Sequence, residues 1–470
     1  MPGTDNGRDR GMMGPVGLLR SRLPGPWLLG QVPVGVRMLR SAPEGLRRLH
    51  ARYGPVAAFG FWPFRYVVLF GPEANQFVLS DAPERFRWRE AMASLVPVDG
   101  ETALVVSDGD DHWRRRRLVQ PAFGTRRIQG YLPLMVEEID REIDTWLPGT
   151  ELDAFVALRR AVRRVAVRSL FGDSLRDRAD DLGDALAAAI DFVNLPVSLQ
   201  VKVDLPWTRW HRAKAARDRA DAIVNAEIAR RRNDPDPSDS GDVLDMLLAA
   251  RDVEGDTAVD DPSLSDPSLS DTEIRDQVVS LVAAGYDTTS AAAAWAVHEL
   301  LVNPGEWDRA AAEVAAVVGD ADLTVEHLFS MAHLDAVVNE TLRLWPPGFV
   351  SARMAAEAFE FAGHRIPAGA MVLFSPYVTH RMPELWPDPD RFVPDRWRAG
   401  EPEPYTFVPF GGGYRRCIGF AFATQELKAL LAQLLRRVTL ERLPGPVTPV
   451  GTASLHPREG VRVRVLSRSP

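Results

Sequence analysis

The run from Val278 to Val297, VVSLVAAGYDTTSAAAAWAV, limits the possible folds more than any other stretch of this 470-residue chain. Its twenty residues carry a single charge, Asp287. A segment of that length can cross a bilayer. This one is mostly alanine, with threonines and serines around the aspartate, and it lacks the leucine, isoleucine and phenylalanine density that lipid rewards. The other home for a helix that is apolar all round is the centre of a large soluble protein. A buried central helix is therefore expected. The N-terminal stretch MPGTDNGRDRGMMGPVGLLR has no continuous apolar segment, so neither a secretory signal nor a membrane anchor is expected, and the location that follows is cytoplasmic.

The rest of the composition fits a globular protein, 46% hydrophobic and 26% charged. Its length allows a large core. The formal net charge of −8 argues against nucleic acid as a partner, since phosphate binding needs a basic face. Only three of the 56 basic residues are lysines (Lys202, Lys214 and Lys428), a bias of GC-rich bacterial codons that says nothing of function. There is one cysteine, Cys417. It rules out an intramolecular disulfide and any zinc or iron–sulfur site built from several cysteines, and leaves only chemistry that needs one thiolate.

Along the chain, residues 1–50 are rich in Gly, Pro and Arg and are expected to run over the surface. PVAAFGFWPFRYVVLFG reads as two short strands about a Trp62-Pro63 turn, and PEANQFVLSD as a short helix. From Asp110 the apolar residues recur three and four apart, as in LPLMVEEIDREIDTWL and ALRRAVRRVAVRSLFG, and predict helices. Residues 232–242 and 255–271 are polar loops, the second carrying the tandem duplication DPSLSDPSLSD. Strand-like sequence runs from Ala355 to Leu373 about a turn at Ile366–Gly369. A Pro- and aromatic-rich loop spans 383–416, a helix spans Ala421–Arg437, and VRVRVL near the end alternates with period two. The expected class is mainly α with small β-sheets. No alternating βαβ units, no GxGxxG at a strand–helix junction and no GxxxxGK[ST] occur, so nucleotide-binding folds are not expected.

Cys417 sits in FVPFGGGYRRCIGFAFATQELKALL. A lone cysteine is ordinarily a small buried hydrophobe. Here glycines at 411–413 and 419 free the backbone to pass close to something flat. Arg415 and Arg416 add positive charge, and the start of a helix just beyond adds its dipole, both of which favour a thiolate. The segment Phe410-Gly-Gly-Gly-Tyr-Arg415-Arg-Cys417-Ile-Gly419 fits FxxGxRxCxG and resembles the haem-binding signature of the cytochrome P-450 family, the haem-thiolate monooxygenases. The resemblance implies that Cys417 is the axial ligand of the iron, that Arg415 reaches a haem propionate, and that Phe410 packs near the sulfur.

Other segments carry the same resemblance. Glu340-Thr-Leu-Arg343 fits ExxR. Residues three apart share a helix face, and the apolar context of AVVNETLRLWPP predicts a buried pair, which needs further donors. Pro394-Asp-Arg396-Trp would supply them and complete a structural triad of Glu340, Arg343 and Arg396. Pro389-Asp-Arg391-Phe is a rival register, and Arg396 has the more usual spacing to the cysteine loop. Ala284-Gly-Tyr-Asp287-Thr288-Thr fits [AG]Gx[DE]T[TS], which implies a proton relay. In it Thr288 holds bound dioxygen and Asp287 passes protons from water. The plain alternative, a helix N-cap cluster, is at odds with apolar pattern on both sides. In Asp111-His112-Trp-Arg-Arg-Arg116-Arg117, four arginines would ordinarily be a solvated face. The resemblance offers His112 and Arg116 as grips on one propionate. Trp113 with Arg117 has the same spacing, and the following Gln-Pro-Ala-Phe favours the first pair. The remaining arginines would face outward and steer an acidic electron-transfer partner. Arg353 is a further propionate candidate by family position.

The resemblance spans roughly Gly25 to Leu466. It implies one cytochrome P-450 domain over residues 25–470, after a flexible segment 1–24, in a monomer without membrane anchor. The implied cofactor is haem b. Electrons would come from NAD(P)H through separate proteins, a ferredoxin with its reductase or a flavodoxin. One oxygen atom of O₂ would enter a lipophilic small molecule by hydroxylation or epoxidation, in natural-product, terpenoid or fatty-acid oxidation. Family position puts the pocket wall at 86–106, 192–203, Ala283 and Ala284, Phe349–Ser351 and Ser454–His456, with few ionisable groups. A peroxygenase or isomerase, and a haem-binding sensor without turnover, are the alternatives. The intact Asp287–Thr288 pair speaks against both.

Overall fold

The computed structural model describes residues 23–61, 65–195, 199–234, 241–251, 268–451 and 453–469. The Trp62-Pro63 turn, residues 1–22 of the N-terminal segment, 235–240 of the first polar loop and 255–267 of the repeat-bearing loop lie outside them.

The predicted central helix runs from Asp271 to Val302, 32 residues. Ser270 starts it, accepting from the Glu273 N–H while Glu273 returns a bond to the Ser270 N–H, so two orphan donors of the first turn are satisfied. Within it, the seven residues Ala291 to Val297 are all buried. Alanine suits this position because a helix without bulky side chains lets neighbouring backbones come close. The helices Ala154–Phe171, Arg209–Arg232, Ala332–Leu344 and Phe420–Arg437 pack around it.

Against this helical body lies a five-stranded sheet in the order Val56–Phe59, Tyr66–Leu69, Met371–Phe374, Ser351–Ala355, Phe86–Arg87. Only the Tyr66–Leu69 and Met371–Phe374 pairing is parallel. The C-terminal VRVRVL segment is the middle strand, Arg462–Arg468, of a three-stranded sheet, with Val463 and Val465 turned inward as the alternation requires.

Two readings of the sequence are corrected. Within the stretch expected to run over the surface, Leu28–Arg40 and Ala42–Tyr53 are helices, and the second buries Leu46 and Leu49. Spacing of three between those leucines was the available signal. The strand region begins at Ser351, before Ala355, and contains a hairpin turning at Ala362-Gly363, both with positive φ.

Candidate active site

A cavity of about 1430 Å³ lies between the central helix, the cysteine loop and the five-stranded sheet. Cys417 opens onto it. Its side chain is accessible from the cavity, and burial within the protein raises the thiol pKa. Desolvation outweighs the Gly419 N–H, Arg116 and Arg416, which pull the other way.

Three devices hold the cysteine loop. The Cys417 N–H donates to the Phe410 carbonyl at 2.9 Å, closing the loop on itself. Gly413 has φ +59°, and a Cβ there would stand 2.0 Å from the Leu79 carbonyl oxygen. Glycine is therefore required by contact as well as by backbone angle. The third is the buried polar cluster. Arg343 and Glu340 are both fully buried. The Arg343 Nε and Nη2 donate to the two Glu340 oxygens at 2.9 and 2.8 Å, and its other N–H groups reach the carbonyls of His380, Pro389 and Arg391. Arg396 Nε donates to Glu340 Oε1 at 2.9 Å, so the geometry selects Arg396. The rival Arg391 side chain is exposed and contributes only its backbone. Trp397 Nε1 and the Val393 N–H complete the carboxylate. His380 links this cluster to the loop. Its Nδ1 lies 3.1 Å from the Arg343 carbonyl, and its Nε2 accepts the Val408 N–H at 2.9 Å. Burial, then Arg343, push its pKa down to about 3, so the ring is neutral and the tautomer fixed.

Replacing Gly413 by alanine is expected to lower bound haem per chain several-fold. The positive φ costs a Cβ-bearing residue about 1–2 kcal/mol, and the clash with a main-chain oxygen adds to it. A parental ratio of Soret to protein absorbance in the purified variant would contradict this.

On the opposite wall, Ala284 and Gly285 of the central helix face the cavity, and a Cβ on Gly285 would meet nothing within 4 Å. Thr288 Oγ1 donates to the Ala284 carbonyl at 2.7 Å. Asp287 is buried but paired: Arg159 Nη2 donates to Oδ1 at 2.9 Å and Ser454 Oγ to Oδ2 at 2.5 Å. Those partners settle how an aspartate is tolerated in so apolar a helix.

A third wall is cationic. His112, Arg116, Arg353 and Arg415 all line the cavity. Arg415 donates to the Ser107 carbonyl and to Asp108, both at 2.8 Å. Arg353 lies 3.7 Å over the Trp88 ring, hydrogen-bonded only to Ser351 Oγ and the Ala352 carbonyl. Burial, then the neighbouring Arg415, lower its pKa to about 9. Burial, then Arg415 and Arg116, push His112 down to about 3. Among the described residues, the His112 Nδ1 and Arg415 Nε are buried without a hydrogen-bond partner. His112 and Arg116 turn inward, whereas Trp113 is exposed and stacked on Tyr414, and Arg117 is exposed.

The outward placement expected of the other arginines holds for Arg117 and is corrected for Arg114 and Arg115. Arg114 and Arg115 donate to Glu273 at 2.8 and 3.2 Å, tying their helix to the start of the central one. The pocket wall is partly corrected too. Ala283 and Phe192 are packed in the core and Ser454 holds Asp287, while residues 88–95, 104–105, 193–195, Phe349–Ser351 and His456 do line the cavity. Ionisable groups are not few: Arg159, Asp191, Lys202 and His456 also face it. Arg159, His380 and Trp88 were not singled out, because an arginine or tryptophan in a helical or loop pattern carries no mark of the side chain it will meet.

The chain matches the cytochrome P450 family over residues 23–459. It is 43% identical over 439 residues to a Mycobacterium tuberculosis protein described as cytochrome P450 139, spanning 91% of this chain and 98% of that one. It is 32% identical over 449 residues to the cyclooctat-9-en-7-ol 5-monooxygenase of Streptomyces melanosporofaciens, spanning 92% and 94%. A solved structure described as retinoic acid bound cyanobacterial CYP120A1 superimposes with a TM-score of 0.83 at 28% identity, covering 95% of this chain and 99% of that one. The chain belongs to the cytochrome P450 family and is a monooxygenase of that family. Among the described residues, no helix is long and apolar enough to cross a membrane.

Proposed function

We propose that the chain oxidises a lipophilic small molecule at a haem whose iron Cys417 would ligate. The observation that carries the reading is that the single thiol faces a large internal cavity beside a cluster of buried cations. The residues fit the cofactor. Among the described residues, Arg116, Arg353 and Arg415 are balanced in their cluster by one carboxylate, Asp108, and two buried nitrogens of His112 and Arg415 lack hydrogen-bond partners. Two propionates supply the missing negative charge and acceptors. Haem, when bound, supplies the activation of dioxygen that no side chain here supplies.

The chain's own residues do the rest. The apolar walls exclude water and hold the substrate. Thr288 Oγ1, hydrogen-bonded to the Ala284 carbonyl, presents its hydroxyl at the cavity, and Asp287 on the next position is the proton source. Arg159 and Ser454 fix that carboxylate. Electrons come from NAD(P)H through a separate ferredoxin and reductase, or a flavodoxin. The Streptomyces relative acts, by its name, on an alcohol, which supports natural-product oxidation for this chain.

With Thr288→Ala, haem and substrate binding are expected to persist while reducing equivalents leave as hydrogen peroxide rather than product. The measurement is NAD(P)H-dependent oxygen uptake with added ferredoxin and reductase, with peroxide and product counted. Unchanged coupling would remove Thr288 from the relay. No oxygen uptake by the parent protein would favour a peroxygenase, isomerase or sensor.

A further inference from the structure

The cavity has a polar pole of which the oxidation chemistry uses only Arg159, the partner of Asp287. Four elements meet there: Phe155 and Arg159 on the helix Ala154–Phe171, Asp191 near the end of the helix Ala179–Val193, Asn194 just after it, and His456 on a short C-terminal strand. The Asp191 side chain is exposed, lines the cavity and makes no hydrogen bond among the described residues, whereas His456 and Asn194 are half-buried. The His456 ring stacks parallel on Phe155, with centroids 5.7 Å apart, which fixes its plane. Its Nδ1 lies 3.2 Å from the Ser454 carbonyl, an acceptor, so Nδ1 carries the proton. Burial lowers the ring's pKa, which keeps it neutral, and Nε2 is then a free acceptor. Asn194 spends its Oδ1 on the Ala453 N–H at 3.3 Å, which leaves its amide N–H groups to donate.

We propose that Asp191, His456 and Asn194 form a binding site for a hydroxyl group of the substrate, so that the preferred substrate is an apolar alcohol rather than a bare hydrocarbon. The proposal rests on the cavity being the substrate's, as argued above. The charges select the hydroxyl. A carboxylate would meet Asp191 and Asp287, and an ammonium would meet Arg159, which is held beside them. A hydroxyl donates to Asp191 or His456 and accepts from Asn194 with no net charge. A site built to hydrogen-bond a hydroxyl discriminates against the analogue that lacks it, because its own polar groups are then left buried and unpaired.

The test uses the full-length holoprotein and N-alkylimidazoles, whose ring nitrogen binds haem iron and shifts the Soret band. A graded series from hexyl to dodecyl is made with methyl, hydroxyl, carboxylate or ammonium ends. At one or more chain lengths the hydroxyl end is expected to bind about ten-fold tighter than the methyl end. Asp191→Leu and His456→Phe are expected to erase that gain while the methyl-ended probe binds as in the parent. Equal binding of methyl and hydroxyl ends at every length would overturn the proposal. So would tighter binding of the carboxylate or ammonium end, or a hydroxyl gain that survives both substitutions. If the two variants alter peroxide release and leave the hydroxyl gain intact, the pole is a proton route and not a substrate site. Absence of any Soret shift with every probe would instead count against the haem reading itself.

Discussion

Arg343→Met is expected to prevent accumulation of folded, haem-bearing protein. The parental guanidinium makes five hydrogen bonds, two to Glu340 and three to main-chain carbonyls of the 380–391 segment. Methionine fills much of the volume but leaves those carbonyls without donors and Glu340 with less positive charge. Breaking a fully buried ion pair by removing one partner costs about 3–5 kcal/mol. That is a large share of the roughly 5–15 kcal/mol that separates a native domain from its unfolded chain. The damage also travels. The Arg343 carbonyl orients His380, and His380 Nε2 accepts the Val408 N–H at the start of the cysteine loop. Urea unfolding of whatever protein can be purified, with haem content measured in parallel, checks both effects. Parental midpoint and parental haem content would show that the cluster is dispensable. Arg396→Met, which removes one bond from Glu340 at a partly exposed position, is expected to cost less.

The fold class was legible because helical periodicity dominates after Asp110, and because an alanine-rich run with one charge has few places to go. Local sequence could not show what lies across a gap. The inward turn of Arg114 and Arg115 depends on Glu273, some 158 residues away in the chain. Gly413 looked like a glycine that accommodates a flat ligand, whereas its Cβ is forbidden by Leu79, on a segment that no spacing links to the loop. The tandem polar loop has no pattern to place it, and residues 255–267 lie outside the described structure.

The same limit explains the cysteine. Glycines, arginines and a following helix all pointed to an anionic sulfur, and those groups are in place. Desolvation is a property of the whole enclosure, not of the motif, and in the polypeptide itself it wins. A bound metal cation reverses that balance, since a coordinated thiol is deprotonated outright.

Cys417→Ser is expected to have the largest effect on chemistry. Serine keeps the size and the loop hydrogen bonds but replaces a soft, electron-donating sulfur with a hard oxygen whose proton is far less readily lost. Activation of dioxygen relies on that donation, so monooxygenase turnover is expected to vanish while the fold is retained.

The carbon monoxide spectrum of the reduced protein addresses the claim on which all else rests. The parent protein is expected to show the strongly red-shifted Soret band of thiolate ligation, and Cys417→Ser to lose it or move it to the position of neutral ligation. A parent protein that takes up no haem, or a serine variant that keeps the red-shifted band, would contradict the account.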